Sequence, residues 1–180
     1  GDAELNVVRQ RLKGLPPNVC RVITAHHHFA PPPGFGSQSV IADAKHAIEV
    51  MEECDVELIL SGHMHVSYIG NTLDFYPRSR HGIIIVQSGT TTSARGKQRE
   101  RGKNSFNVIR IHELHISITQ HLYDGQAKRF LPMSRHLFPR RLPGPYYLRV
   151  EDAAAAEVAT AREEKQVQQA VTERVQEKQT

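Results

Sequence analysis

The chain has 180 residues, 39% of them hydrophobic and 23% charged, with a formal charge of +4 and a pI near 9.2. That balance suits one soluble globular domain with enough apolar matter for a core. It excludes a membrane helix, because no apolar run approaches about 18 residues, and a disulfide framework, because Cys20 and Cys54 are the only cysteines.

The mixed, charged opening has no signal-peptide pattern, so a cytoplasmic protein with reduced thiols is expected. "LNVVRQRLKGL" (5–15) places Leu5, Val7, Val8, Leu12 and Leu15 at helical spacing, and "PPN" ends it. "CRVITA" (20–25) predicts a short buried strand, and "APPPGFGSQ" predicts a loop, given its Pro and Gly density. "SVIADAKHAIEVMEE" (39–53) predicts a helix with one apolar stripe, capped by Ser37 or Ser39. "VELILSG" (56–62) predicts the next buried strand, with "GIIIVQSG" (82–89) as its neighbour; strand 20–25, helix 39–53 and strand 56–62 make a βαβ-like unit.

The pattern then changes. "SFNVIRI" (105–111) and "LHISITQHLY" (114–123) alternate with period two and predict an antiparallel hairpin with one wet face. On that reading His112, His115 and His121 face solvent. Beyond Tyr123 regular structure is expected to fade, and residues 126–150 form a Pro-rich basic extension wrapping a surface. The segment 151–180 has seven acidic and four basic residues and no aromatic, Gly or Pro, and predicts a charged helical or disordered tail. Its charge of −3 leaves +7 on the rest of the chain, a mildly basic body that permits anionic partners without requiring nucleic acid.

Chemistry concentrates at two strand ends. "VITAHHH" and "LILSGHMH" are apolar strands that stop abruptly in histidine. Side chains at strand ends of open α/β sheets point into the crevice where ligands bind. Imidazole is a common ligand for zinc, iron, manganese and nickel. Gly62 lets the backbone approach a metal or phosphate with no Cβ in the way. His46, His81 and His136 lack that context and read as ordinary hydrogen-bonding residues.

The order "VITAHHHFAPPP", helix, "LILSGHMHVSYIGN", "IIIVQSGTTTSARGKQRERGKNSFNVIRI" resembles the calcineurin-like metallophosphoesterases, in particular their bacterial cyclic-nucleotide-phosphodiesterase-like members. The resemblance runs over about residues 5–125. "GHMH" matches the family's G-H-x-H motif, and "AHHH" matches its H-H-P motif with His28 where proline is usual. "SGTTTSARGKQRERGKNSFN" resembles the G-T-x-(T/S)-S…N-S-F-N segment of that branch.

The resemblance implies an α/β fold, the C-terminal half of a four-layer αββα sandwich, with residues 1–125 as that part of the phosphoesterase domain. It implies His26, His63 and His65 as metal ligands, the first two on one ion and His65 on a second, with Mn, Fe or Zn as the divalent ions. His27 would lie beside the centre and His28 would pack the loop. In the intact site a metal-bridging hydroxide attacks phosphorus in line. Arg95 and Asn104 join His27 as candidate substrate contacts. The other readings of that basic segment are a solvated loop, and Asn104 and Asn107 ordering the turn into the hairpin.

The family's D-x-H, G-D-x-x-(D/G) and N-H-(D/E) motifs are not found in the sequence, so the bridging carboxylate is missing. The chain is expected to be the second half of the domain and inactive alone. A missing N-terminal half or a partner chain would complete it, with a phosphoester or nucleotide as substrate. The alternative is a non-catalytic remnant or interaction module. Nucleic acid is the weaker partner, since no aromatic interleaving accompanies the basic residues.

Overall fold

The computed structural model describes residues 1–32, 34–36 and 40–140, together with seven helical residues of the tail: Ala155, Val158, Ala161, Arg162, Lys165, Gln166 and Gln169. In chain order the elements are α1 (Asp2–Leu12), β1 (Val22–Thr24), α2 (Ala44–Glu53), β2 (Leu58–Ser61), β3 (Tyr68–Asn71), β4 (Ile84–Gln87), β5 (Ser105–Ile111), β6 (His115–Asp124) and β7 (Arg129–Pro139). Two sheets form. One is mixed, in the order β1-β2-β4-β3, and the other is antiparallel, in the order β5-β6-β7.

The expected α/β architecture holds, and the reason lies in strand composition. β2 and β4 are apolar at successive positions because both faces of their sheet are covered. Leu58, Leu60, Ile84 and Val86 face the second sheet, where they meet Ile109, Ile116, Ile118 and Phe138. Ile59, Ile83 and the adjoining Val56 face the helices, where they meet Ile48 and Met51 of α2 and Leu5, Val8 and Leu12 of α1. The described residues thus stack as helices, mixed sheet and antiparallel sheet. Each fully buried isoleucine in these layers contributes about 1.5–3 kcal/mol.

Several expectations are corrected. α2 begins at Ala44, not at residue 39, because Asp43 takes a left-handed conformation (φ 55°) that starts the helix late. Ile41 nonetheless packs on the helical core, so part of the predicted stripe survives outside the helix. Ser37 and Ser39 lie outside the described residues. β3 was not foreseen, since "YIGN" is short and lacks alternation; it pairs antiparallel with β4. β7 replaces the expected irregular stretch after Tyr123, pairing along β6 from Arg129 to Pro139. Its prolines are tolerated because β7 is outermost among the described strands. A bulge between Gln120 and His121 places Pro132 opposite His121 and skips Met133, which is 67% exposed.

The wet face of the hairpin is also corrected. Ser117 and Thr119 are buried, and so is His115. β6 is the central strand, so its outer residues sit between longer neighbours: Ser117 between Arg110 and Leu137, Thr119 between Val108 and Arg135. His115 stacks on His112 with ring centroids 4.1 Å apart, and His121 lies parallel to Phe106 at 4.9 Å. Cys20 and Cys54 are free thiols, Cys54 buried and Cys20 half-buried. No helix among the described residues is long and apolar enough to cross a membrane.

A buried ion pair ties the two sheets together. Arg140, just after β7, donates two hydrogen bonds to Glu57, just before β2, at 2.8 and 2.9 Å, and a third to the His112 carbonyl at 2.6 Å. Both side chains are largely buried, and the carboxylate raises the arginine pKa further. Removing one partner strands the other charge. Arg140→Ala is expected to cost about 3–5 kcal/mol of unfolding free energy in urea denaturation. A loss under about 1 kcal/mol, the value of an exposed pair, contradicts this account.

Candidate metal centre

The site begins with a register. β1 and β2 pair in parallel, with Thr24 opposite Leu60. The pairing continues past the strands: Ala25 N donates to Leu60 O at 2.9 Å, and Gly62 N donates to His26 O at 3.2 Å. Two loops therefore leave the sheet side by side, and each carries histidine at once. His26 Nε2 and His63 Nδ1 come within 3.0 Å. The His27 ring lies 4.8 Å from that of His26 and 4.5 Å from that of His63, centroid to centroid. One nitrogen from each of His26, His27 and His63 lies within 4.8 Å of the others, and all three residues are exposed.

The backbone that presents His63 is unusual. His63 and His65 both have positive φ, 72° and 57°. Left-handed backbone at a non-glycine residue costs about 1–3 kcal/mol and persists only where surroundings impose it. Here they do. Met64, between His63 and His65, is buried. Lys97 N donates to His65 O at 2.9 Å. The buried Gln87 donates through Nε2 to Val66 O at 3.2 Å, and Ser67 N donates to Glu100 Oε1 at 2.9 Å. The turn is held at three successive residues.

Electrostatics disfavours a proton on His63. His63 is held below the ordinary imidazole range, first by lost hydration and then by His27, His26, His65 and Lys97. A neutral ring keeps its lone pair for a metal. His28 differs from its neighbours. It is fully buried, and burial is the main cause of its lowered pKa.

The donor set fits one ion. Nitrogen ligands about 2.0–2.1 Å from zinc in tetrahedral geometry stand roughly 3.3 Å apart. The His26–His63 separation of 3.0 Å is close to that, and the His27 nitrogen lies within 4.8 Å of both. Among the described residues the group contains no carboxylate. Two dications about 3.5–4 Å apart need bridging negative charge, which three imidazoles do not supply.

Of the residues expected from sequence, the structure brings together His26, His63 and His27. His65 stands two residues beyond His63, half-buried, and its ring lies outside the three-histidine group. Arg95 is exposed on the loop between β4 and β5, where its backbone N donates to Ser93 Oγ at 3.4 Å. Asn104 precedes β5, and its carbonyl accepts from Tyr123 N at 2.8 Å. The residues that hold the site in shape, Gln87, Ser67 and Glu100, were not anticipated. The available signal was polarity out of place: Gln87 ends an apolar strand, and Glu100 is the one acid in a basic stretch.

No family model matches the chain, and no curated protein matches it in sequence. Among solved structures it is similar to Vps29 from Entamoeba histolytica complexed with Zn²⁺, at 18% identity and TM-score 0.38, covering 57% of this chain and 51% of that one. A double mutant of the same protein gives 17% identity and TM-score 0.38, with 57% and 52% covered. Vps29 from Chaetomium thermophilum gives 8% identity and TM-score 0.41, with 69% and 55% covered. The chain spans about half the length of each of these structures.

Isothermal titration with Zn²⁺ checks the ligand set. His26→Ala, His27→Ala and His63→Ala are each expected to weaken uptake by at least about tenfold, or about 1.4 kcal/mol. His28→Ala is expected to lower unfolding stability more than Zn²⁺ affinity. Wild-type affinity in His63→Ala contradicts the assignment.

Proposed function

We propose that the chain supplies the histidine side of a metal-dependent phosphoester hydrolase centre. The observation that carries this reading is the convergence of His26, His27 and His63 at adjoining strand ends. The GHMH, AHHH and SGTTTS…NSFN segments support it, because they stand in the order seen in bacterial cyclic-nucleotide-phosphodiesterase-like metallophosphoesterases. A bound divalent ion, Zn, Mn or Fe, would supply a water of lowered pKa and a clamp on phosphoryl oxygen.

The chain's own residues do the rest. His26 and His63 offer lone pairs from fixed, stitched backbone, and His27 closes the third side. His65, one turn of loop away, is the candidate ligand for a second ion. Arg95 and Asn104 are candidate contacts for a phosphoester, monoester or diester, or a nucleotide. The carboxylates for a two-metal site come, on this reading, from a partner segment. β1 is the outermost strand of the mixed sheet among the described residues. A strand added parallel to it would end beside His26 and deliver acidic side chains there. Two free thiols support a reducing, cytoplasmic setting for that assembly.

A second reading has its own observation. A cluster of imidazoles with no carboxylate suits a metal-stabilised interaction module as well as an enzyme. Stoichiometry and turnover separate the two. This chain alone is expected to bind about one Zn²⁺ or Mn²⁺ and to leave bis(p-nitrophenyl) phosphate and p-nitrophenyl phosphate near background. An assembly containing the chain is expected to hydrolyse one of them in Mn²⁺ and to fall to background in His63→Ala. Unchanged turnover in that variant contradicts the hydrolase reading.

A further inference from the structure

We propose that Lys97 is the anion-recognising residue of the histidine centre, and that buried Glu100 is the group that positions it. The assignment rests on the reading of that centre as one that takes phosphoryl groups, and it names the feature that attracts them.

The argument starts from Glu100. A single acid sits among five cations between residues 95 and 103, and it is the one that goes inside, only 2% exposed. A buried carboxylate persists only where donors replace its water. Glu100 has four: Ser67 N at 2.9 Å, Ser105 Oγ at 2.9 Å, Ser67 Oγ at 3.2 Å and Gln120 Nε2 at 3.2 Å. They come from the loop after β2, the start of β5 and the middle of β6. Glycines make the room. A Cβ at Gly89 would collide with the Glu100 carboxylate, and one at Gly96 with the Glu100 carbonyl. The loop is thus fastened to both sheets at one point.

What the fastening presents is Lys97. Its carbonyl accepts from Glu100 N at 2.9 Å, and its own N–H donates to His65 O at 2.9 Å. Among the described residues, it is the basic residue of this stretch whose backbone is bonded directly to the histidine loop. Its charge also contributes to the lowered pKa of His63. Lys97 is exposed, and among the described residues no carboxylate pairs with it. A cation on a loop stitched to His65, with its charge felt at His63, repels protons and metal alike, so it serves the site only when an anion arrives. The ligand class that meets both demands is a phosphoryl group, with one oxygen toward the imidazoles or their ion and another toward the ammonium.

Calorimetric titration of phenylphosphonate into the full chain, with and without Zn²⁺, tests the assignment. Lys97→Gln is expected to weaken phosphonate binding roughly tenfold, the value of one charge-assisted hydrogen bond, without lowering Zn²⁺ affinity. Arg101→Gln, which changes the same net charge, is expected to have little effect. Glu100→Ala should reproduce the Lys97→Gln loss with Zn²⁺ uptake retained. If Glu100→Ala fails to fold, Glu100→Gln, which keeps the shape and most of the hydrogen bonds, is expected to bind phosphonate close to wild type. Wild-type phosphonate affinity in Lys97→Gln, an equal loss in Arg101→Gln, or no phosphonate binding by the wild-type chain in either state overturns the assignment. Absence of Zn²⁺ uptake by the wild type would instead overturn the metal reading, and the metal-free titration would still decide the role of Lys97.

Discussion

The parallel register between β1 and β2 is the constraint on which the site depends. It sets Thr24 against Leu60, and the two backbone bonds beyond it, Ala25 to Leu60 and Gly62 to His26, carry the alignment into the loops. A slip of one residue would turn His26 to the other face and dismantle the cluster. The register is in turn secured by burial on both faces. Leu58 and Leu60 can meet only the second sheet, while Ile59 can meet only the helices. Core packing therefore fixes the placement of three exposed imidazoles that contribute little to the core themselves.

The second layer of control is polar. Glu100, Gln87, Arg140 and Glu57 are buried or nearly so, and each is met by hydrogen-bonding partners from distant parts of the chain. Such groups are costly when unpaired, so they specify one arrangement and penalise others. At the histidine loop they offset a local cost. The positive φ values of His63 and His65 are sustained because the carbonyls of His65 and Val66 and the N–H of Ser67 are all engaged. Strain of this kind favours a preset donor geometry over one assembled by the ligand.

What was legible from sequence follows the strength of the local signal. Continuous apolar runs with turn residues at each end marked β1, β2 and β4, and period-two alternation marked the β5–β6 hairpin. Histidine immediately after two such runs was enough to single out His26 and His63. Tertiary context decided the rest. Prolines disguised β7, since an outer strand with a bulge tolerates what a central strand does not. His115 and His121 looked solvent-facing, but stacking partners and cross-strand neighbours bury the first and half-bury the second. That His27 joins the cluster while His28 is buried depends on the path of one loop, which three identical residues cannot encode individually.

The central claim is that His26, His27 and His63 form one metal site at the ends of β1 and β2. Anomalous diffraction from a zinc-soaked crystal of this chain addresses it most directly. The account predicts one strong peak about 2.0–2.1 Å from a nitrogen of each of the three imidazoles. A map with no peak there, or with its peak held instead by His112 and His115, would contradict it.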